Sequence, residues 1–114
     1  MQGVSVDYMA RPARDLDLLE NEAAGTPFDH AALVAKIRAA IPSFEASGGG
    51  EAMGLDWIDE DEGAYIQAHL TRHAVGVSHG RGGDSLMATL TTLFDVLRDN
   101  GLHIFDPQQG DWLE

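Results

Sequence analysis

Four consecutive acids, Asp59-Glu60-Asp61-Glu62, stand before Gly63 in a part of the chain that has no basic residue. From Ala39 to Thr71 there is no Lys or Arg, whereas Glu45, Glu51 and Asp56 join the four, making seven acids and no base. Like charges this close repel one another, and only water and salt make the crowding tolerable. Such a segment either stays a solvated turn or speeds association with a basic partner. On the second reading Asp56, Asp59, Glu60, Asp61 and Glu62 steer the encounter and pair with Lys or Arg, and Trp57 supplies apolar anchoring. Trp57 alternates with Asp56 and Ile58 along a strand-like run, so it faces either the core or the partner.

The same acids do not spell a calcium loop. An EF-hand loop opens on an oxygen ligand and turns on a glycine at its sixth position. With Gly63 at the turn, the opening position falls on Ile58, which has no ligand atom.

Gly76-Val77-Ser78-His79-Gly80 has the G-x-S-x-G pattern of a nucleophile elbow, with Asp95, Asp99, Asp106 and His103 downstream as candidate partners. That elbow requires a sharp strand-to-helix turn. Here Val75 and Val77 alternate with Gly76 and Ser78 as in a plain strand, and the next helix begins only near Asp84. A small serine hydrolase using Ser78 is therefore the alternative function, not the leading one.

His69, His73 and His79 lie in one strand-rich region, with His30 and His103 elsewhere, and none has a recognised metal-ligand spacing. No metal or other cofactor is expected. Gly80-Arg81-Gly82-Gly83 leads into a helix but lacks the lysine of a phosphate loop. Ser85 stands where the last glycine of G-x-G-x-x-G belongs, and Asp84 repels phosphate, so turn chemistry explains the glycines.

Composition narrows the classes further. Seven Lys and Arg against 19 Asp and Glu in 114 residues give a net charge of −12, which disfavours nucleic acid because phosphate neutralisation needs basic side chains. Absence of cysteine removes disulfides, thiolate metal sites and cysteine nucleophiles. The 44% apolar and 23% charged content is that of a globular chain, and the length suits one domain over residues 1–114. Met1 to Ala10 lacks the basic head and apolar run of a secretory signal, and no stretch approaches the ~18 apolar residues of a membrane span. A cytoplasmic protein that does not contact membranes is the expectation.

The elements that must position these residues follow from periodicity. Val4 to Met9 alternates as a half-buried strand stopped by Pro12, and Ala13 to Pro27 is an acidic connection with room for a helical turn. Asp29 caps a helix whose Leu33, Val34, Ile37 and Ile41 share a face, ended by Pro42. Ser47 to Gly50 reads as a loop. Met53 to Ile58 and Ala64 to Leu70 form a hairpin whose turn, Asp59 to Gly63, uses Gly63 for a positive φ. Ala74 to His79 continues the meander.

A second helix, capped by Asp84 or Ser85, carries Leu86, Leu90, Leu93 and Leu97 at helical spacing, flanked by Met87, Phe94 and Val96, and stops at Asn100-Gly101. Leu102 to Phe105 is a short strand, and Trp112-Leu113 returns after a turn. This order predicts an α+β fold, a mainly antiparallel sheet of about four to six strands with two helices packed on one face. A ferredoxin-like arrangement is the nearest familiar alternative.

The segment Leu97-Arg98-Asp99-Asn100-Gly101-Leu102-His103-Ile104-Phe105-Asp106-Pro107-Gln108-Gln109-Gly110, about an eighth of the chain, resembles the tail of small uncharacterised bacterial α+β proteins. Several of these resemble immunity proteins of polymorphic or contact-delivered toxin systems. The resemblance implies a non-enzymatic protein that masks a partner, and it carries over no catalytic residue. The leading expectation is an acidic protein-binding module, an immunity or inhibitor protein for a basic partner such as a toxin or effector. A self-associating regulatory subunit, for instance a homodimer, is the third reading.

Overall fold

Strict alternation along Ala64–Thr71 decides which way the sheet faces. Ala64, Ile66, Ala68 and Leu70 are buried, and Tyr65, Gln67 and His69 between them are exposed. The computed structural model describes residues 7–12, 28–50, 52–80 and 83–113. In chain order these form β1 (Tyr8–Arg11), α1 (His30–Ala40), β2 (Glu45–Gly49), β3 (Ala52–Asp59), β4 (Ala64–Thr71), β5 (Val75–Gly80), α2 (Asp84–Asp99), β6 (His103–Asp106) and β7 (Asp111–Leu113).

The fold is α+β. Its seven strands pair antiparallel throughout, in the order β2-β3-β4-β5-β1-β6-β7. The expected range of four to six strands is exceeded because β2, read from the sequence as a glycine loop, is a paired edge strand. Its residues match Glu45 with Asp56 through Gly49 with Ala52. Gly48 has φ +78°, a conformation that side chains disfavour, and its backbone lies so close to β3 that a Cβ would sit 3.0 Å from the Ala52 carbonyl oxygen. Without the β2–β3 hairpin and β7, the connectivity β1-α1-β4-β5-α2-β6 and the strand order β4-β5-β1-β6 are those of the ferredoxin-like split βαβ unit.

Both helices cover the same face. Leu33, Val34 and Ile37 of α1 and Leu86, Leu90, Leu93, Phe94 and Leu97 of α2 join Leu55, Trp57, Ile66, Leu70, Val75, Val77 and Ile104 in one core cluster. The expected stripe on α2 is present, except that Met87 is 59% exposed. Asp29 caps α1 as anticipated, its carboxylate accepting the Ala32 N–H at 3.0 Å. Neither Asp84 nor Ser85 caps α2. The N-cap is Gly83, which has no side chain to offer. Gly63 takes the expected positive φ in the β3–β4 turn, and Gly101 does so after α2. The expected strand residues Val4 to Val6, the acidic connection 13–27, and Glu51, Arg81 and Gly82 lie outside the described residues. Among the described residues no helix is long and apolar enough to cross a membrane.

Candidate functional site

With the helices on one side, the register assigns every hairpin side chain to a face. Glu45, Asp56, Gln67 and Ser78 form one cross-strand row over β2, β3, β4 and β5 on the face away from α1 and α2, and Ile58, Tyr65 and Gly80 form the next. Trp57 falls on the opposite side and is buried at 7% exposure. Its expected role as an exposed anchor is therefore corrected. The residue that projects outward is its neighbour Ile58, 67% exposed, beside Tyr65 at 41%. Sequence reasoning missed this pair, although the alternation that hides Trp57 presents Ile58.

Tyr65 owes its position to a glycine. Gly80 lies directly opposite on β5, and a Cβ built there would come within 2.1 Å of the Tyr65 Cε2. The ring thus fills the space that a side chain at position 80 would take. Tyr65, Ile58, Gln67, Asp56, Glu45 and Glu60 border an open depression of about 530 Å³ at the turn end of the hairpin. Among the described residues no Lys or Arg lines it.

The four acids of the turn separate into two pairs. Asp59 and Glu62 fold back onto the start of α2: the Ser85 hydroxyl donates to Asp59 Oδ2 at 2.5 Å and lies 3.0 Å from Glu62 Oε1. Gly83 accommodates this, since a Cβ there would meet Glu62 Oε1 at 2.2 Å, and its φ of +137° also favours glycine. Carboxylates at a helix N-terminus face the positive end of the dipole, so the hairpin adds two anionic groups to Asp84 in the first turn of α2.

Asp59 Oδ1 also accepts the Asp61 and Glu62 N–H groups, closing the turn. Donation from Ser85 first, and then from these two amides, holds the Asp59 carboxyl below the ordinary carboxylate range, against an opposing desolvation. Asp59 and Glu62, expected from the sequence to pair with a partner's Lys or Arg, are both engaged within the fold by Ser85. Glu60 and Asp61 make no contact with Ser85 and are exposed, Glu62 is exposed as well although bonded, and Asp56 stays on the outer face.

The other candidate chemistries are dispersed. Ser78 lies within β5, opposite Gln67, not at a strand-to-helix turn. Asp95 and Asp99 belong to α2 on the far side of the sheet. His103 pairs with Arg11 two strands away and four residues along, which by strand geometry is about 16 Å, whereas proton transfer requires roughly 3 Å.

The histidines are also scattered. His30 Nε2 lies 2.6 Å from the Gly50 carbonyl oxygen, and His103 packs edge-on against Trp112. His79 stacks on Tyr8 with its Nε2 3.9 Å from Asp7 Oδ2. Burial first, and then the Asp106 and Asp7 carboxylates, pushes the Tyr8 phenol up. Among the described residues no group of three or more His, Asp or Glu is arranged to hold a metal. The segment Leu97 to Gly110, which carries the resemblance, forms the end of α2, its glycine stop, β6 and the following turn.

A scan against protein-family models finds no match to the chain, and a search of curated proteins finds no significant relative.

Proposed function

We propose that this protein is a non-enzymatic binding module that masks a basic protein partner, in the manner of an immunity or inhibitor protein acting in the bacterial cytoplasm. One observation carries the reading: an exposed apolar pair, Ile58 and Tyr65, sits beside a depression bordered by Glu45, Asp56 and Glu60, with no cation in its lining among the described residues. The long-range field of the −12 chain draws a basic partner in. Ile58 and Tyr65 then give desolvated contact, and Glu45, Asp56, Glu60 and Asp61 pair with Lys or Arg at the rim.

The test is capture from a cell lysate at graded salt, comparing the wild type with a variant carrying Glu45→Gln, Asp56→Asn, Glu60→Gln and Asp61→Asn. Asp59 and Glu62 stay untouched because they hold α2. The wild type is expected to retain a basic protein that salt elutes and that the variant fails to retain. Equal retention by both, or retention only of acidic proteins, overturns the proposal.

A further inference from the structure

Glu45 and Asp56 stand directly opposite each other in the β2–β3 register, on the same face, and among the described residues no Lys or Arg lines the depression they border. Like charges in directly opposed positions destabilise a strand pair. A buried-core explanation does not apply, because both lie on the side away from α1 and α2. One strand further over, Gln67 continues the row, and its side-chain carbonyl adds an acceptor with no net charge. Tyr65 borders the same depression, held over Gly80 and still 41% exposed. The span from Glu45 across Asp56 to the β4 side chains is two strand spacings, roughly 10 Å.

A compact ammonium group is a strongly hydrated point charge that neither forks onto carboxylates in a plane nor stacks flat on a ring. A guanidinium is planar, is always charged, carries five donors in a fork, and stacks on aromatic faces while pairing with carboxylates. The lining therefore matches it in each respect: two opposed carboxylates, a neutral acceptor, and an aromatic wall. We propose that the depression receives an arginine side chain of the partner protein, its guanidinium placed between the Glu45–Asp56 pair and the Tyr65 ring, with Ile58 against the aliphatic stem. This rests on the reading of that face as a docking surface and specifies its chemistry. Binding would relieve the Glu45–Asp56 repulsion, so part of the affinity comes from a strain built into the free protein.

The probe is the tripeptide amide Arg-Gly-Arg, titrated into isotopically labelled protein and followed by NMR, with Lys-Gly-Lys and the uncharged citrulline analogue as comparisons. The arginine peptide is expected to move the Tyr65 ring, Ile58 methyl and Gln67 side-chain amide signals. The lysine peptide should bind about fivefold more weakly, and the citrulline peptide should cause no shift. Asp56→Asn and Tyr65→Ala should each weaken the arginine peptide about fivefold. Asp95→Asn, on the exposed side of α2, should leave it unchanged. Asp56→Asn keeps the test decisive should Tyr65→Ala disturb folding. Equal binding of the arginine and lysine peptides, shifts centred on other carboxylates, or indifference to Asp56→Asn overturns the proposal. If salt-sensitive capture of basic proteins survives that result, only the arginine assignment falls; if capture fails as well, the docking surface falls with it.

Discussion

The Ser85 hydroxyl at the start of α2 donates to Asp59 at the end of β3, 26 residues earlier in the chain. That bond links the acidic turn to the helix layer, and it separates Asp59 and Glu62, which meet Ser85, from Glu60 and Asp61, which do not. Replacing Ser85 by Ala removes the donor that does most to lower the Asp59 carboxyl. Carboxyl NMR titration should show Asp59 titrating below the ordinary value of 3.8 in the wild type and moving back toward it in Ser85→Ala.

The sign of the pH effect follows from linkage. A carboxyl lowered by folding contributes stability that is present above its unfolded value and is lost as pH falls through its folded value. Urea midpoints of the wild type should therefore drop as pH is lowered below about 3.8, and Ser85→Ala should flatten that dependence. An unchanged pH profile in the variant would show the contact to be inert.

Much of this arrangement could be read from the sequence, for physical reasons that also mark where the reading stops. The Asp29 cap, the Leu86-Leu90-Leu93-Leu97 stripe and the Gly63 turn are local devices, set by residues within one turn or one loop of each other. The β2 strand is not local. Ser47, Gly48 and Gly49 have weak strand preference, and pairing with β3 imposes the extended form on them. Asp84 is a local anion at the start of α2, but Asp59 and Glu62 come from a distant hairpin, so the helix start holds no signal of those two. Alternation showed that Trp57 and Ile58 lie on opposite faces, but which face meets the helices depends on where α1 and α2 pack.

Repulsion between opposed Glu45 and Asp56 predicts a gain from neutralising either one. Asp56→Asn and Glu45→Gln should each raise the unfolding free energy by roughly a few tenths of a kcal/mol, read as a higher urea midpoint, and the gain should shrink with added salt. A loss of stability would mean that the two carboxylates do not repel across the register.

Trp57 and Ile58 are adjacent, yet should respond in opposite ways. Trp57→Ala opens a cavity under the hairpin and is expected to cost about 3–5 kcal/mol by chemical denaturation. Ile58→Ser should stay within about 0.5 kcal/mol of the wild type while weakening partner binding. A large stability loss at Ile58 would place it in the core and remove it from the docking surface.

Tyr65 and Gly80 form a single unit that a double-mutant cycle can isolate. Gly80→Ala forces the ring aside and should cost about 1 kcal/mol, with altered Tyr65 ring signals. In a Tyr65→Ala background the same change has room and should be near neutral. Additive costs would show that the ring does not occupy the space over Gly80.

The central claim is that the face of the β3–β4 hairpin away from α1 and α2 docks a basic protein, and hydrogen exchange on the complex tests it most directly. With the captured basic protein bound, protection is predicted to rise along Asp56–Asp61 and Tyr65–Gln67, and to remain unchanged along α1 and the exposed side of α2. Protection confined to the helices or to β7, with the hairpin unaffected, would contradict the account.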